Sequence, residues 1–207
     1  MNAISFSLWG DNPRYTEGAF QNIALAREFY PDDWVCVFYV PYNYPLASAL
    51  NQAGGIVVER FSGAGGWAAV FWRMFPATFP AEIIYQNWVI RDCDSRIGVR
   101  EWAAVKAWLD SDKTYHVMHD HPNHTPAIMG GMWGGKKPVL NMESMMVAWE
   151  KKDHYFDDQN FLEQCVWPVI KDDCLSHTRA NWPEHAWQKD GEFVGARHDE
   201  RGELSGN

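Results

Sequence analysis

Cysteine is scarce in this sequence, and the cysteines present have no spacing typical of a metal or redox site. The 207 residues include four of them, without a CxxC pair: Cys36, Cys93, Cys165 and Cys174. This spacing excludes a zinc ribbon and a dithiol redox motif of the usual patterns. We interpret the four side chains as reduced thiols in or near the core.

Long apolar runs and an excess of basic residues are also absent. No stretch approaches the roughly 20 apolar residues that cross a bilayer, and MNAISFSLWG has no basic segment ahead of a long apolar one,. Acidic residues outnumber Lys and Arg by 27 to 18, for a formal net charge of −9, which opposes nucleic-acid binding over a broad surface. We therefore expect a cytoplasmic protein with no transmembrane segment and no nucleic-acid partner. A small anionic substrate held with a divalent metal fits the composition better.

What the sequence does contain is an alternation of strand and helix patterns. Strand-like runs at residues 4–8, 34–40 and 56–59 alternate with helical patterns at about 16–29, 46–52 and 100–112,. Such an alternation predicts an α/β fold with a mostly parallel sheet flanked by helices. We expect one domain over residues 1–195 and a polar, flexible tail over residues 196–207.

Two carboxylates stand one residue apart in RDCDSR, directly behind an apolar strand-like run that ends at Ile90. If the strand continues, Asp92 and Asp94 point to the same face and repel each other. Either a hard cation such as Mn²⁺ or Mg²⁺ lies between them, or Arg91 and Arg96 neutralise them in a surface turn. Ligands gather beyond the carboxyl ends of parallel strands, which favours the metal.

The densest histidine cluster follows the pattern HxxHxHxxH and comprises His116, His119, His121 and His124. It lacks the spacing of a helical HExxH site, and Pro122 interrupts regular structure in its middle. We interpret it as a loop that lines a polar pocket and presents Asp120 to a substrate, with a zinc site as the alternative.

The glycine-rich stretch 130–137 would let backbone N–H groups approach a phosphate closely, with Lys136 and Lys137 adding charge,. It is not a P-loop, because no Ser or Thr follows the lysines and the glycine spacing differs. A plain turn is the alternative.

Beyond these patterns, the chain resembles the small bacterial and large-virus glycosyltransferases of the GT-A fold. The stretches that carry the resemblance are FWRMFPATFP, VIRDCDSRIGVREWAAVKAWLDS, HVMHDHPNHTPAIMGGMWGGK and DDQNFL. The resemblance implies a Rossmann-like, mostly parallel mixed sheet, and a DxD motif that binds Mn²⁺ and a nucleotide-sugar diphosphate. The chain departs from the family pattern at His119, where arginine is frequent, and at HTR (residues 177–179), where HD would be expected.

The resemblance and the chemistry of sugar transfer together assign candidate roles. The metal ligands would be Asp92, Asp94 and His177, and the donor would contact Trp9, Gly10, Arg73, Asp92, Gly131 and Lys136. Asp158 and Asp120 are the candidate general bases, although Asp158 precedes an apolar helical run and has an N-cap role as its alternative. Trp9 and Trp133 would stack on the base or on an acceptor sugar.

These assignments predict a glycosyltransferase that uses Mn²⁺ or Mg²⁺ to move a sugar from a nucleotide-diphosphate sugar, most simply a UDP-sugar, to a saccharide hydroxyl in glycan biosynthesis. A metal-dependent phosphohydrolase or nucleotidyltransferase is the alternative enzyme. A sugar-binding domain without turnover is the alternative outside enzymes.

Overall fold

The computed structural model describes residues 1–61, 66–78, 85–150, 154–183 and 192–205. Its strands are β1 (Asn2–Ser7), β2 (Trp34–Pro41), β3 (Ile56–Arg60), β4 (Trp88–Ile90), β5 (Tyr115–His119), β6 (Trp133–Gly135) and β7 (Cys174–Thr178). Its α-helices are α1 (Pro13–Phe29), α2 (Ala47–Gln52), α3 (Val99–Leu109), α4 (Met142–Ala148), α5 (Asp157–Phe161) and α6 (Trp167–Ile170). Turns of 3₁₀ helix at Trp67–Ala77 and Lys171–Asp173 and a π turn at Leu162–Val166 complete the described elements.

The strands form one sheet in the order β3-β2-β1-β4-β6-β5-β7. All neighbours pair in parallel except β6, which runs antiparallel to both β4 and β5. The predicted α/β architecture with a mostly parallel mixed sheet is confirmed. Because β6 is reversed, the residues just before it meet the carboxyl ends of β1 and β4 at one edge of the sheet.

The sheet is buried on both faces. In β1, Ile4 and Phe6 pack into one core with α1 and α3, while Ala3 belongs to the core on the other face with the 3₁₀ segment Trp67–Ala77. Alternate residues of a strand point to opposite faces, so the near-continuous apolar run of β1 serves both cores.

Local sequence signals account for several element ends. The Asn12 side chain accepts a hydrogen bond from the Arg14 N–H at 3.0 Å, and Pro13 opens α1 at a position that lacks an intrahelical partner,. The segment Trp67–Ala77 is a 3₁₀ helix that contains Pro76. No helix among the described residues is long and apolar enough to cross a membrane.

The prediction of a flexible tail from Ala196 is wrong for residues 196–205, while residues 206–207 lie outside the described ones. Ala196 and His198 are buried, and His198 forms a bridge with Leu204. The carbonyls of Asp199 and Glu200 accept hydrogen bonds from Arg96 and Gln21 at 3.0 and 2.9 Å. The polar composition of this segment led to the prediction of fraying. Its hydrogen-bond partners, Arg96 and Gln21, are distant in sequence, so no local pattern indicates them.

Candidate active site

A cavity of about 520 Å³ opens at the carboxyl edge of β1 and β4. Seven segments line it: the end of β1, the start of α1, the 3₁₀ segment, the RDCDSR loop, the loop before β6, the start of α5 and the segment 193–197. Of the predicted site residues, it brings together Trp9, Arg73, Asp92, Asp94, Gly131 and Asp158. Parallel strands place such sites beyond their carboxyl ends, as the sequence predicted.

The arginines of RDCDSR do not neutralise its carboxylates. Arg91 turns into the core, where it forms an ion pair with Glu101 at 2.7 Å and donates to the Gly131 carbonyl at 2.7 Å. Arg96 donates to backbone carbonyls, among them that of Cys93 at 3.0 Å, and to the Gln21 side chain. The surface-turn interpretation is therefore wrong, and Asp92 and Asp94 share the cavity without these two arginines.

Asp94 is a nearly buried carboxylate, 8% exposed. Burial first, and then the neighbouring Asp92, raise its pKa to about 6, although Arg197 and Arg14 act in the opposite direction. Among the described residues, no lysine or arginine forms an ion pair with it. A cation between Asp92 and Asp94 would relieve both the repulsion and the lost hydration.

Arg73 lies under the cavity and joins two of its carboxylates. Its guanidinium is paired with Asp92 and, at 2.7 Å, with Asp158. Burial lowers the pKa of Arg73, but the two carboxylates outweigh burial and raise it above its usual value. This cation therefore stays charged and holds Asp92 and Asp158 on one side of the cavity.

Gly130 and Gly131 allow this close approach. A Cβ on Gly131 would lie 2.0 Å from Asp92 Oδ2, and one on Gly130 would lie 2.9 Å from Arg73 Nη2 and 3.0 Å from Asp158 Oδ2. The Gly130 N–H already donates to Gln159 at 3.0 Å. Because these glycines have no side chain, they leave room for the charged side chains beside them. The sequence analysis had predicted a different role, in which their backbone N–H groups approach a phosphate.

Asp157 and Asp158 are neighbours in sequence but lie in different environments. Asp157 is buried and accepts from Trp149 Nε1 at 3.2 Å, whereas Asp158 lines the cavity. The residue at the N-cap of α5 is Phe156, in a left-handed conformation, and no side chain caps this end. The N-cap alternative for Asp158 is therefore not supported.

Three other predicted site residues lie elsewhere. Lys136 donates to the carbonyls of Leu109 and Ser111, at 3.2 and 2.8 Å, at the end of α3, where a cation suits the helix dipole. Trp133 is fully buried against Trp88. Gly10 is exposed outside the cavity lining, with φ of +69°. Predicted donor contacts by Lys136 and Gly10, and stacking by Trp133, are wrong in this structure.

Asp120 and His177 are also held by other partners. Asp120 forms a two-bond ion pair with Arg100, at 2.7 and 2.6 Å, and accepts the Val194 N–H at 2.9 Å. His177 lies on the edge strand β7, and its Nδ1 is 2.7 Å from Nε2 of His116. No group of three His, Cys, Asp or Glu side chains suited to a metal occurs in the part of the chain that the structure describes. The third-ligand role of His177 and the cavity role of Asp120 are therefore withdrawn.

The absence of such a group among the described residues also argues against the zinc alternative for the histidine cluster. His116 is in the core, and His119 is 2.9 Å from the Pro126 carbonyl, while His121 and His124 line the cavity beside Phe193. The interpretation of a loop lining a polar pocket holds for the second half of the cluster. Burial lowers the pKa of His124 to about 4, so this ring is neutral near pH 7.

Sequence reasoning missed Arg197 and the ring-bearing residues around it. Arg197 lines the cavity and donates to the Tyr155 hydroxyl, and Tyr15 and Trp67 line the same space. Next to it, the His198 N–H donates to the Asp94 carbonyl at 2.8 Å. The sequence RHD at residues 197–199 could have indicated this segment, because it contains the HD pattern that the family resemblance led us to expect at His177.

No family model and no curated protein sequence matches the chain. Solved structures of glucosyl-3-phosphoglycerate synthase from Mycobacterium tuberculosis resemble it. The complex with Mn²⁺, UDP and glucosyl-3-phosphoglycerate has a TM-score of 0.53 and 10% identity, over 86% of this chain and 69% of that one. The complex with phosphoglyceric acid has a TM-score of 0.52 and 11% identity, again over 86% and 69%. The complex with Mn²⁺, UDP-glucose and phosphoglyceric acid gives 0.52 and 10%, over 86% and 70%. This likeness confirms the predicted GT-A-like α/β fold.

Proposed function

We propose that the chain is a glycosyltransferase that needs Mn²⁺ or Mg²⁺ and takes its sugar from a nucleotide-diphosphate donor. The carrying observation is the pair Asp92 and Asp94 at the carboxyl edge of a GT-A-like sheet, uncompensated by the arginines beside them in sequence. Solved structures of the same fold hold Mn²⁺ with UDP or UDP-glucose, or Mg²⁺ with UDP, which supports this choice over other metal-dependent enzymes. We also propose, from the sequence motifs quoted above, that the chain belongs with the small bacterial and large-virus GT-A glycosyltransferases.

The residues present fit a divalent metal of this kind. Mg²⁺ and Mn²⁺ accept one or two protein carboxylates and complete their coordination with substrate phosphates and water. Asp94, buried and with a raised pKa, and Asp92, 44% exposed on its side chain, offer such a pair. When bound, the metal would stabilise the negative charge that develops on the leaving diphosphate.

The chain's own residues would do the remaining work. Asp158, which pairs with the same Arg73 guanidinium as Asp92, would act as the general base. It would accept the proton of the acceptor hydroxyl while the hydroxyl oxygen forms the new bond to the anomeric carbon. The bond from that carbon to the diphosphate breaks and leaves its electron pair on the diphosphate oxygen. Arg73 would hold Asp158 in place through their ion pair. Arg197, whose guanidinium interacts electrostatically with Asp94, would contact the diphosphate,.

We further propose a saccharide hydroxyl as the acceptor, a UDP-sugar as the donor and a role in glycan biosynthesis in the cytoplasm. The solved neighbours bind phosphoglyceric acid or glucosyl-3-phosphoglycerate in addition to UDP compounds. An acidic acceptor is therefore the comparison that a test must include.

Calorimetry with UDP tests the donor and metal sites directly. We expect UDP to bind in Mn²⁺, and to lose about 10²-fold in affinity in chelator or in Asp94→Asn, because a direct ligand should cost at least as much as its supporting contacts. Asp110→Asn is the matched control, since this exposed carboxylate lies at the end of α3 outside the described cavity lining and forms an ion pair with Lys106. Equal affinity in Mn²⁺ and in chelator would overturn the metal proposal.

A product assay then separates the enzyme classes. With a panel of UDP-hexoses in Mn²⁺, we expect the sugar to be transferred or slowly hydrolysed, with UDP as the product. Release of inorganic phosphate or joining of nucleotides would instead favour a phosphohydrolase or nucleotidyltransferase. Binding with no turnover on any donor would favour a sugar-binding domain.

A further inference from the structure

Four aromatic side chains form a continuous surface at the cavity. This aromatic rim consists of Trp9, Trp67, Tyr155 and Phe156, all of which line the cavity. Ring centroids are 6.4 Å apart for Trp9 and Trp67, 5.0 Å for Trp67 and Tyr155, and 4.2 Å for Tyr155 and Phe156. Three of the rings remain exposed: Trp67 at 39%, Tyr155 at 44% and Phe156 at 59%.

Phe156, one of the four residues of the rim, has an unfavourable backbone conformation. Its φ of 73° and ψ of 5° lie in the left-handed region, which suits glycine and asparagine and disfavours a bulky side chain,. The other non-glycine residues with positive φ in the described part of the chain are Asn43 and Asn141. A strained, mostly exposed phenylalanine gains nothing from core burial, so the strain points to a role at the cavity.

The rim is next to the proposed general base, Asp158, in the chain. Phe156 is the N-cap residue of α5, and Asp158 lies in the first turn of that helix. Arg197 donates to the Tyr155 hydroxyl and so fixes the Tyr155 ring against the segment 193–197. A molecule stacked on Tyr155 and Phe156 would thus lie beside Asp158.

The charges of the described lining disfavour an acidic molecule on this surface. Three aspartates face two arginines there, namely Asp92, Asp94 and Asp158 against Arg73 and Arg197. Arg73 is already paired with two of those carboxylates. A divalent metal and a donor diphosphate bring opposite charges of similar size, so the surplus of negative charge remains when both are bound.

We propose that the aromatic rim is the acceptor subsite and that it takes an uncharged sugar ring, stacked by its apolar C–H face, with one hydroxyl turned to Asp158. Exposed Trp and Tyr rings suit such a ligand because they bury the apolar face and leave the hydroxyls to polar partners. The proposal rests on the proposed function. It adds the acceptor class and where the acceptor binds.

Saturation-transfer NMR in Mg²⁺ and UDP tests the subsite, with lactose, maltose and cellobiose as neutral probes and 3-phosphoglycerate as the acidic one. The variants are Trp67→Ala and Phe156→Asn. Asparagine accepts the left-handed backbone, so Phe156→Asn removes the ring without adding strain. Phe61→Asn is the matched control, because Phe61 is 78% exposed and stacks on Tyr42 outside the cavity lining.

We expect at least one disaccharide to bind through its ring C–H protons, and to bind roughly five- to tenfold more weakly in each rim variant, as loss of one ring contact implies. The control should bind it as the wild type does. Phe156→Asn should melt no lower than wild type, which separates loss of the ring from loss of folding. Preference for 3-phosphoglycerate, no disaccharide binding, or equal binding in the rim variants would each overturn the subsite.

UDP affinity in Mn²⁺, measured on the same variants, keeps the two proposals apart. If UDP binds normally while the disaccharides do not respond to the rim, the acceptor subsite alone fails. If UDP binding does not depend on the metal, the proposed function fails first.

Discussion

Arg91 and Asp92 are neighbours in the chain and belong to two very different polar regions. Arg91 is 1% exposed and is held by Glu101 at 2.7 Å, and Glu101 also accepts from the Tyr30 hydroxyl at 2.8 Å. The Asp92 side chain is 44% exposed and shares Arg73 with Asp158. Successive side chains at the end of a strand point to opposite faces, so a single step along the chain separates core from cavity.

The difference separates a polar cluster that stabilises the fold from one that has the charge pattern expected of a ligand site. The buried pair matches one cation with one anion and adds hydrogen bonds from Tyr30 and to the Gly131 carbonyl. The cavity instead gathers Asp92, Asp94 and Asp158 and leaves Asp94 with a raised pKa. Under-compensated, partly desolvated charge is typical of functional sites, where a ligand supplies the missing partner.

Asp158→Asn should give the largest effect on the cavity side of this comparison. Loss of a general base lowers the rate roughly 10²- to 10⁴-fold while donor binding is largely kept. Turnover of a UDP-hexose and calorimetric UDP affinity would be measured together. Asp157→Asn is the matched control, since Asp157 is buried beside Trp149 and is not part of the described cavity lining, so this change should lower the melting temperature without lowering turnover. Unchanged turnover per folded molecule in Asp158→Asn would remove the base assignment.

Glu101→Ala should give the largest effect on the buried side. It leaves the Arg91 guanidinium buried without its anion, which destabilises a protein by about 3–5 kcal/mol. Urea unfolding would measure the change in free energy. Lys106→Ala on the same helix is the control, because that ion pair is 60% and 65% exposed and should contribute within about 0.5 kcal/mol. Similar losses in both variants would mean that burial does not distinguish the two pairs.

The His116–His177 pair should make stability depend on pH. Burial lowers the pKa of both rings, most strongly for His116, so the unfolded chain binds their protons more readily. Their stabilising contribution is therefore present above pH 6.5 and is lost as the pH falls below it, by at most about 1.4 kcal/mol per pH unit for each ring.

Urea unfolding at pH 7, 6 and 5 would show this slope. His177→Gln should reduce it, since one titrating ring is lost while a hydrogen-bonding side chain remains next to His116. UDP affinity in Mn²⁺ should not change in this variant. A fall in that affinity would restore His177 as a candidate metal ligand.

Lys136→Ala should give the smallest effect. The lysine contacts two carbonyls at the end of α3 and lies 5.5 Å from the centroid of the Trp108 ring. Loss of such contacts costs about 0.3–1 kcal/mol. The melting temperature should fall slightly and UDP affinity should stay the same. Weaker UDP binding would show that Lys136 reaches the donor after all.

The fold was largely predictable from local patterns. Alternating apolar runs and helix signals act over a few residues, and they correctly indicated β1 to β3 and α1 to α3,. The cavity of the structure lies at the end of β4, where the sequence predicted a ligand site. The position of Asp92 and Asp94 in the cavity followed from the same rule. The reversed strand β6 was not predictable in this way, because three residues, Trp133–Gly135, carry too short a pattern.

The sequence by itself determined the α/β class, the carboxylate pair behind β4 and the absence of cysteine spacing for a zinc ribbon or a dithiol site. Tertiary structure decided which charges meet. Arg73 and Asp158 are 85 residues apart and Asp94 and His198 are 104 apart, yet each pair is in contact. Lys136, Asp120 and His177 carry the right chemistry and point elsewhere, since side-chain direction depends on strand register and on partners distant in the chain,. Pairing between distant charges is set by packing of the whole domain, so residue type and spacing cannot fix it.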